Sequence, residues 1–205
     1  MQYSTLASEE SVKNTSEALL DHGYEPIILE DGEEALEKIK SFIPKGASVM
    51  NGSSTTLQQI GFVEYLKEGK HSWNNLHETV LLEQDSQKQR LLRRHAVVSD
   101  SYVGSVHAIS ETGELVIGSN SGSQLPHLVY TSPNIILVVS TKKITPTLLD
   151  ALERLEKYVK PLEDERMKGV YGVGTTLSKI LILRREPKNH GRKVKVLLVK
   201  EDLGF

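Results

Sequence analysis

The run Asn134-Ile135-Ile136-Leu137-Val138-Val139 constrains this chain most. Its consecutive apolar, largely β-branched residues lack the alternation of a half-exposed strand, so both faces have to be covered by protein. The run is far shorter than the ~20 apolar residues that span a bilayer, and no other run in the chain reaches that length. The cover must therefore be built from the rest of the chain. Shorter apolar runs, Pro26-Ile27-Ile28-Leu29 and Ala47-Ser48-Val49-Met50, alternate with helical spacings. Strand alternating with helix implies an α/β fold with a mostly parallel sheet covered on both faces.

Helical periodicity runs from about Ser8 to Leu20, with Val12, Ala18, Leu19 and Leu20 inward and Gly23 at the cap. Asp31 reads as an N-cap, Ala35, Leu36 and Ile39 as the inner stripe, and Pro44 as the stop. Leu57, Ile60, Val63 and Leu66 continue the helical spacing, with Gly61 as a break. Residues 73–81 and 83–95 also read as helices, with Arg90, Arg93 and Arg94 placed near the C-terminus of the second, where the helix dipole favours cations. Ala96 to Asp100 is a strand candidate. Ser105 to Ile109 and Glu114 to Ile117 form a hairpin across Ser110-Glu111-Thr112-Gly113. Pro146 opens the helical run Leu148, Leu149, Leu152, Leu155, Tyr158, Val159. Ile180 to Leu183 and Val194 to Val199 are strands flanking a basic loop, Arg184 to Lys193, whose length allows them to pair antiparallel. That loop is a solvated hairpin tip or a surface for an acidic partner. No linker or repeat divides the chain, so one domain over 1–205 is expected.

The 205 residues carry 25 Lys+Arg against 27 Asp+Glu, a formal net charge of −2. No long-range field favours nucleic acid or an anionic membrane. The absence of cysteine removes disulfides, thiolate chemistry, cysteine zinc sites and iron–sulfur clusters held by this chain. Any cluster-based redox role therefore needs another subunit. The start, Met1 to Thr5, has no basic segment followed by an apolar one, and a cytoplasmic location is expected. The seven histidines are scattered without metal-ligand spacing, so no metal is expected; His107 and His127 are the two to test as a base.

Chemistry points to three polar loops. Asn51-Gly52-Ser53-Ser54-Thr55-Thr56 and Gly118-Ser119-Asn120-Ser121-Gly122-Ser123 each follow a strand and precede an apolar segment; Gly172-Val173-Gly174-Thr175-Thr176 is the third. Glycine lets backbone approach an anion, and short hydroxyls donate without bulk, so such loops suit phosphate or carboxylate. The same residues also serve ordinary turns and caps. No phosphate-loop or dinucleotide fingerprint is present, and no cofactor is implied.

Three segments together resemble the lactate utilisation (LUD) domain family of the lactate utilisation protein C type: Asn51 to Gly61, Asp100 to Val116, and Ile136 to Ile144. The similarity extends from about Ser8 to the tail Glu201-Asp202-Leu203-Gly204-Phe205. It implies a three-layer α/β/α fold like that of ribose-5-phosphate isomerase, glucosamine-6-phosphate deaminase and the CoA transferases. It also implies a cluster-free subunit, or a protein that binds a small anionic metabolite, in lactate-type organic acid utilisation. A non-enzymatic docking protein for an iron–sulfur subunit is the alternative. Ser110-Glu111-Thr112-Gly113 is similar to the Ser-Glu-Asn-Gly segment of one CoA-transferase class, which implies Glu111 as an acyl acceptor; Thr112 departs from that pattern, the match is only four residues long, and the favoured reading of these residues is a polar hairpin turn.

Overall fold

A computed structural model describes residues 3–205; Met1 and Gln2, part of the leader reading above, lie outside them. In chain order come α1 (Glu9–Asp21), β1 (Glu25–Leu29), α2 (Gly32–Phe42), β2 (Ser48–Asn51), α3 (Thr55–Gln59), α4 (Phe62–Lys67), β3 (Asn74–Asn75), α5 (Leu76–Leu82) and α6 (Ser86–His95). They are followed by β4 (Ser101–Gly104), β5 (Ala108–Ser110), β6 (Leu115–Ser119), β7 (Asn134–Ser140), β8 (Ile144–Thr145), α7 (Leu148–Arg154), α8 (Lys160–Tyr171), β9 (Lys179–Leu183) and β10 (Lys193–Val199).

Six strands form a parallel sheet in the order β1-β10-β7-β4-β2-β3. The apolar run that opened the argument is β7, in its interior. Ile135, Leu137 and Val139 face one core, shared with Val12 and Leu19 of α1; Ile136 and Val138 face the other, under Ala35 and Ile39 of α2, Leu57 of α3 and Phe62 of α4. Successive side chains point to opposite faces, so burial on both sides requires the unbroken apolar run seen here. β10 divides in the same way, with Val194, Val196 and Leu198 on the α1 side and Leu197 and Val199 on the α2 side.

A second sheet, β8-β5-β6-β9, packs over the α1-side core. β5 and β6 form the expected antiparallel hairpin. The outer face of this sheet is covered by the helix built from α7 and α8, through Ala151, Leu155 and Val159 on Ala108 and Val116. A π-turn over Leu155–Val159 joins α7 to α8 immediately before Pro161, which has no N–H to donate to the i−4 carbonyl; the wider turn accommodates it. Local signals hold elsewhere: Ser8 and Asp31 cap α1 and α2, and Gly61, at φ +76°, separates α3 from α4. Among the described residues no helix is long and apolar enough to cross a membrane.

Two expectations are corrected. Ala96 to Asp100 is not a strand. Ala96 closes α6 and Val98 is 72% exposed, so strand β4 begins at Ser101, where both faces are buried. Nor do the last two strands pair with each other. β9 runs antiparallel to β6, whereas β10 lies parallel between β1 and β7. The burial patterns explain the separation: β10 is apolar on both faces and belongs inside the main sheet, while β9, with Ile180 and Ile182 exposed, suits an edge.

Candidate functional site

The carboxyl ends of β2, β4 and β7 lie side by side, since Asn51 pairs with Val103 and Gly104 with Leu137. Three connections leave this edge. Beyond β2, Gly52 to Ser54 enter α3, where the Ser54 hydroxyl accepts from Leu57 N–H at 3.3 Å. Beyond β4 comes Ser105, whose hydroxyl donates to the Val138 carbonyl at 2.7 Å. Beyond β7, a 3-10 turn over Thr141–Lys143 delivers two consecutive lysines.

Lys143 is 2% exposed, and its Nζ donates to Thr56 Oγ1 at 2.9 Å, Ser105 Oγ at 3.1 Å and the Val106 carbonyl at 3.2 Å. Lys142 binds the Asp202 carboxylate and donates to the Gly204 carbonyl at 2.6 Å, which draws the tail segment across the same edge. Arg154, on the inner face of α7, is fully buried. It donates to the carbonyls of His107 and Tyr3 and leaves its Nε without a partner. Among the described residues, no carboxylate forms an ion pair with Lys143 or Arg154. Burial, reinforced by Arg154 and Lys142, pushes the Lys143 amine down to about 7, and burial lowers Arg154 to about 10. These edge connections thus enclose positive charge that is hydrogen-bonded but not neutralised.

His107 adjoins the cluster. Burial first, then Lys143 and Arg154, lowers its pKa to about 3, and its Nδ1 accepts from Gly118 N–H at 3.0 Å, which places the single ring proton on Nε2. His127 lies in a separate buried group, where its Nδ1 meets Ser132 Oγ at 2.9 Å and Ser99 Oγ at 3.2 Å and its ring stacks on Tyr102 at 4.7 Å. Burial lowers it to about 4. Both histidines are therefore neutral in the folded state. Above the ordinary value of 6.5 the unfolded state is neutral as well, so they impose no pH dependence there. Below it the unfolded chain takes up protons first, so stability should fall as pH drops from about 6.5 towards about 4. Urea denaturation across that window should show the decline, and His127→Gln should flatten part of it; a wild-type curve level over the window would refute this account.

The structure places the candidate loop residues as follows. Asn51 is buried, with its Nδ2 on the Gly52 carbonyl at 3.3 Å and its Oδ1 without a partner. Gly52 lies against the Tyr102 hydroxyl, which a Cβ built there would approach to 2.8 Å, Ser53 is exposed, and Thr55 opens α3. The first turn of a helix leaves its leading amides without internal acceptors; here the Thr56 side chain, not its amide, meets Lys143.

The second loop approaches the first: a Cβ built on Gly52 would lie 3.9 Å from Gln124 Cβ. Its own donors are largely engaged. Gly118 and Ser119 belong to β6, Gly122 N–H bonds Ser119 Oγ at 2.9 Å, and Ser123 N–H bonds Ser121 Oγ at 3.3 Å. Asn120 accepts from Ser178 and Lys179. The third loop folds back on α8, with Thr175 N–H on Asp164 at 2.7 Å. Glu111 lies at the hairpin tip, at the far end of β5 from His107, and its carboxylate accepts from the Ser11 hydroxyl at 2.6 Å.

Sequence reasoning missed Ser105, Lys142, Lys143, Arg154 and Asp202. A detectable signal existed for two of them: Lys143 lies in the short turn that follows the most apolar strand, and Arg154 falls on the face that Ala151 and Leu155 define as inward.

The sequence profile described as "LUD domain" matches residues 12–199. The chain belongs to the LUD domain family. No curated protein sequence matches it at a significant level. Among solved structures, this LUD domain is similar to a DUF162 family protein from Deinococcus radiodurans, with 12% identity, 95% of this chain and 99% of that one covered, and a TM-score of 0.57. At that identity the likeness concerns the fold. Ribose 5 phosphate isomerase A from Neisseria gonorrhoeae aligns over 97% of both chains at 10% identity, with a TM-score of 0.39.

Proposed function

We propose that this LUD domain binds a small anionic metabolite, of the kind handled in lactate-type organic acid utilisation, at the joint carboxyl edge of β2, β4 and β7. The observation that carries the reading is the pair of buried basic side chains, Lys143 and Arg154, with no carboxylate partner among the described residues; Lys143, held near 7, would keep its proton when an anion binds beside it. Burying an unpaired charge costs several kcal/mol, and an anionic guest offsets that cost where the protein does not. Lys143 supplies the charge when protonated, and Thr56, whose hydroxyl oxygen accepts from Lys143, has its own proton to donate to an oxyanion. With no cysteine in the chain, a cluster that takes electrons in any cluster-based oxidation would sit on a separate iron–sulfur subunit.

Thermal denaturation in the presence of lactate, pyruvate, sugar phosphates and CoA esters, at constant ionic strength, tests this. CoA esters belong in the set because Glu111 is a candidate acyl acceptor. Saturation at about a hundred times Kd adds about 2.7 kcal/mol, and each kcal/mol raises the melting temperature of a chain this size by about 2–4 °C. A flat response to every anion would overturn the reading.

A further inference from the structure

β9 is one edge of the second sheet: β6 pairs with it on one side, and among the described residues no strand pairs with the other. Its two faces differ. Leu181 and Leu183 pack into the core shared with α1, whereas Ile180 and Ile182 project from the opposite face and are 42% and 37% exposed. The residues beside them in register on β6, Gly118 and Val116, lie against Leu155 and the α7–α8 cover, so that cover stops one strand short. Natural edge strands are blunted by an inward charge, a proline, a bulge or a covering element. None interrupts Ile180 to Leu183.

The charges at the two ends of this bare strand have one sign. Lys179 is its first residue, and the exposed Arg184 and Arg185 follow it. Lys179 donates only to a backbone carbonyl, that of Asn120 at 2.9 Å, and Arg184 approaches Glu114 at 3.7 Å while 74% of its side chain stays exposed. In a chain whose net charge is −2, this is a local excess of positive charge on an unpaired apolar edge.

We propose that β9 is a docking strand that takes an extended acidic segment of a partner protein by main-chain pairing along its free edge. Alternate apolar side chains of the segment would lie against Ile180 and Ile182, its carboxylates at the intervening positions would meet Lys179 and Arg185, and a carboxylate at the segment's end would meet Arg184. The charges select this occupant over a second copy of the chain. Antiparallel pairing of two β9 strands about Leu181 would set Lys179 of each copy opposite Leu183 of the other, within one and two positions of its Arg184 and Arg185, and like charges that close repel. The proposal is independent of the anion site, which lies on the edge of the main sheet.

Fluorescence polarisation on the full chain, with a labelled peptide of alternating glutamate and valine and a control in which lysine replaces glutamate, tests it alongside light scattering for oligomeric state. The acidic peptide should bind, more weakly at raised salt, and the lysine peptide should not. Ile182→Lys, and separately Arg184→Glu with Arg185→Glu, should each weaken binding about tenfold or more; these are exposed positions, and circular dichroism verifies folding. Equal binding of both peptides, no binding of either, or binding that survives both sets of substitutions overturns the proposal. A dimer that Ile182→Lys dissociates also overturns it, in favour of self-pairing.

Discussion

Lys143→Met should cut the anion-dependent rise in melting temperature by about half or more while preserving the fold. Methionine matches the lysine stem in length and removes a charge that is 2% exposed and has no carboxylate partner. The hydroxyls left behind are not stranded, because Ser105 still donates to the Val138 carbonyl and lies 3.5 Å from Thr56 Oγ1. The change in stability at neutral pH should therefore stay within about 2 kcal/mol of either sign. Loss of the charge-assisted bond to a bound anion should weaken affinity about tenfold or more.

A second readout separates this role from simple packing. The folded amine titrates near 7 and the unfolded one near 10.5, so between those values the unfolded chain holds more protons. Wild-type stability should consequently rise as pH increases from about 7 towards 10, with its deficit fully present below 7. Lys143→Met should lose that slope. Identical slopes in both proteins, measured by urea denaturation, would remove Lys143 from the account.

Gly204→Leu should be the most disruptive single change at the site. Gly204 has φ +66°, and a Cβ there would lie 2.2 Å from Thr56 Oγ1 and 2.9 Å from Lys143 Nζ. The backbone penalty of a left-handed L residue is about 1–2 kcal/mol, and the contact with Thr56 adds to it, for a total loss of about 2–4 kcal/mol. The substitution should also release the tail that Lys142 holds through Asp202 and the Gly204 carbonyl. Gly191→Leu is the control: its φ is +72°, but nothing lies within 4 Å of an added Cβ, so only the backbone penalty applies. Chemical denaturation of the pair measures the difference. Equal losses would mean that packing against Thr56 and Lys143 contributes nothing.

Local patterns carried much of the architecture. The Asp31 cap, the Gly61 break and the β5–β6 hairpin were legible because each depends on a few neighbouring residues. The misplaced start of β4 reflects the same locality: Val97 and Val98 have strand propensity, but the end of α6 leaves Val98 in solvent. The loop Asn51 to Thr56 was recognisable as a site candidate from composition alone, yet Lys143, which gives it charge, was not. Lys143 and Thr56 are 87 positions apart, and only the parallel pairing of β4 with β2 and β7 brings them within hydrogen-bond reach.

By itself, then, the sequence determined the layered α/β class, since an apolar run such as Ile135 to Val139 is stable only with protein on both faces. Tertiary structure alone decided strand order, the separation of β9 from β10, and the meeting of Lys143, Ser105 and Thr56 at the carboxyl edge. Hydrophobic periodicity specifies which way a side chain faces within its own element. Which distant elements become neighbours is settled by how all the faces are buried together, and a site assembled from several strand ends exists only after that burial.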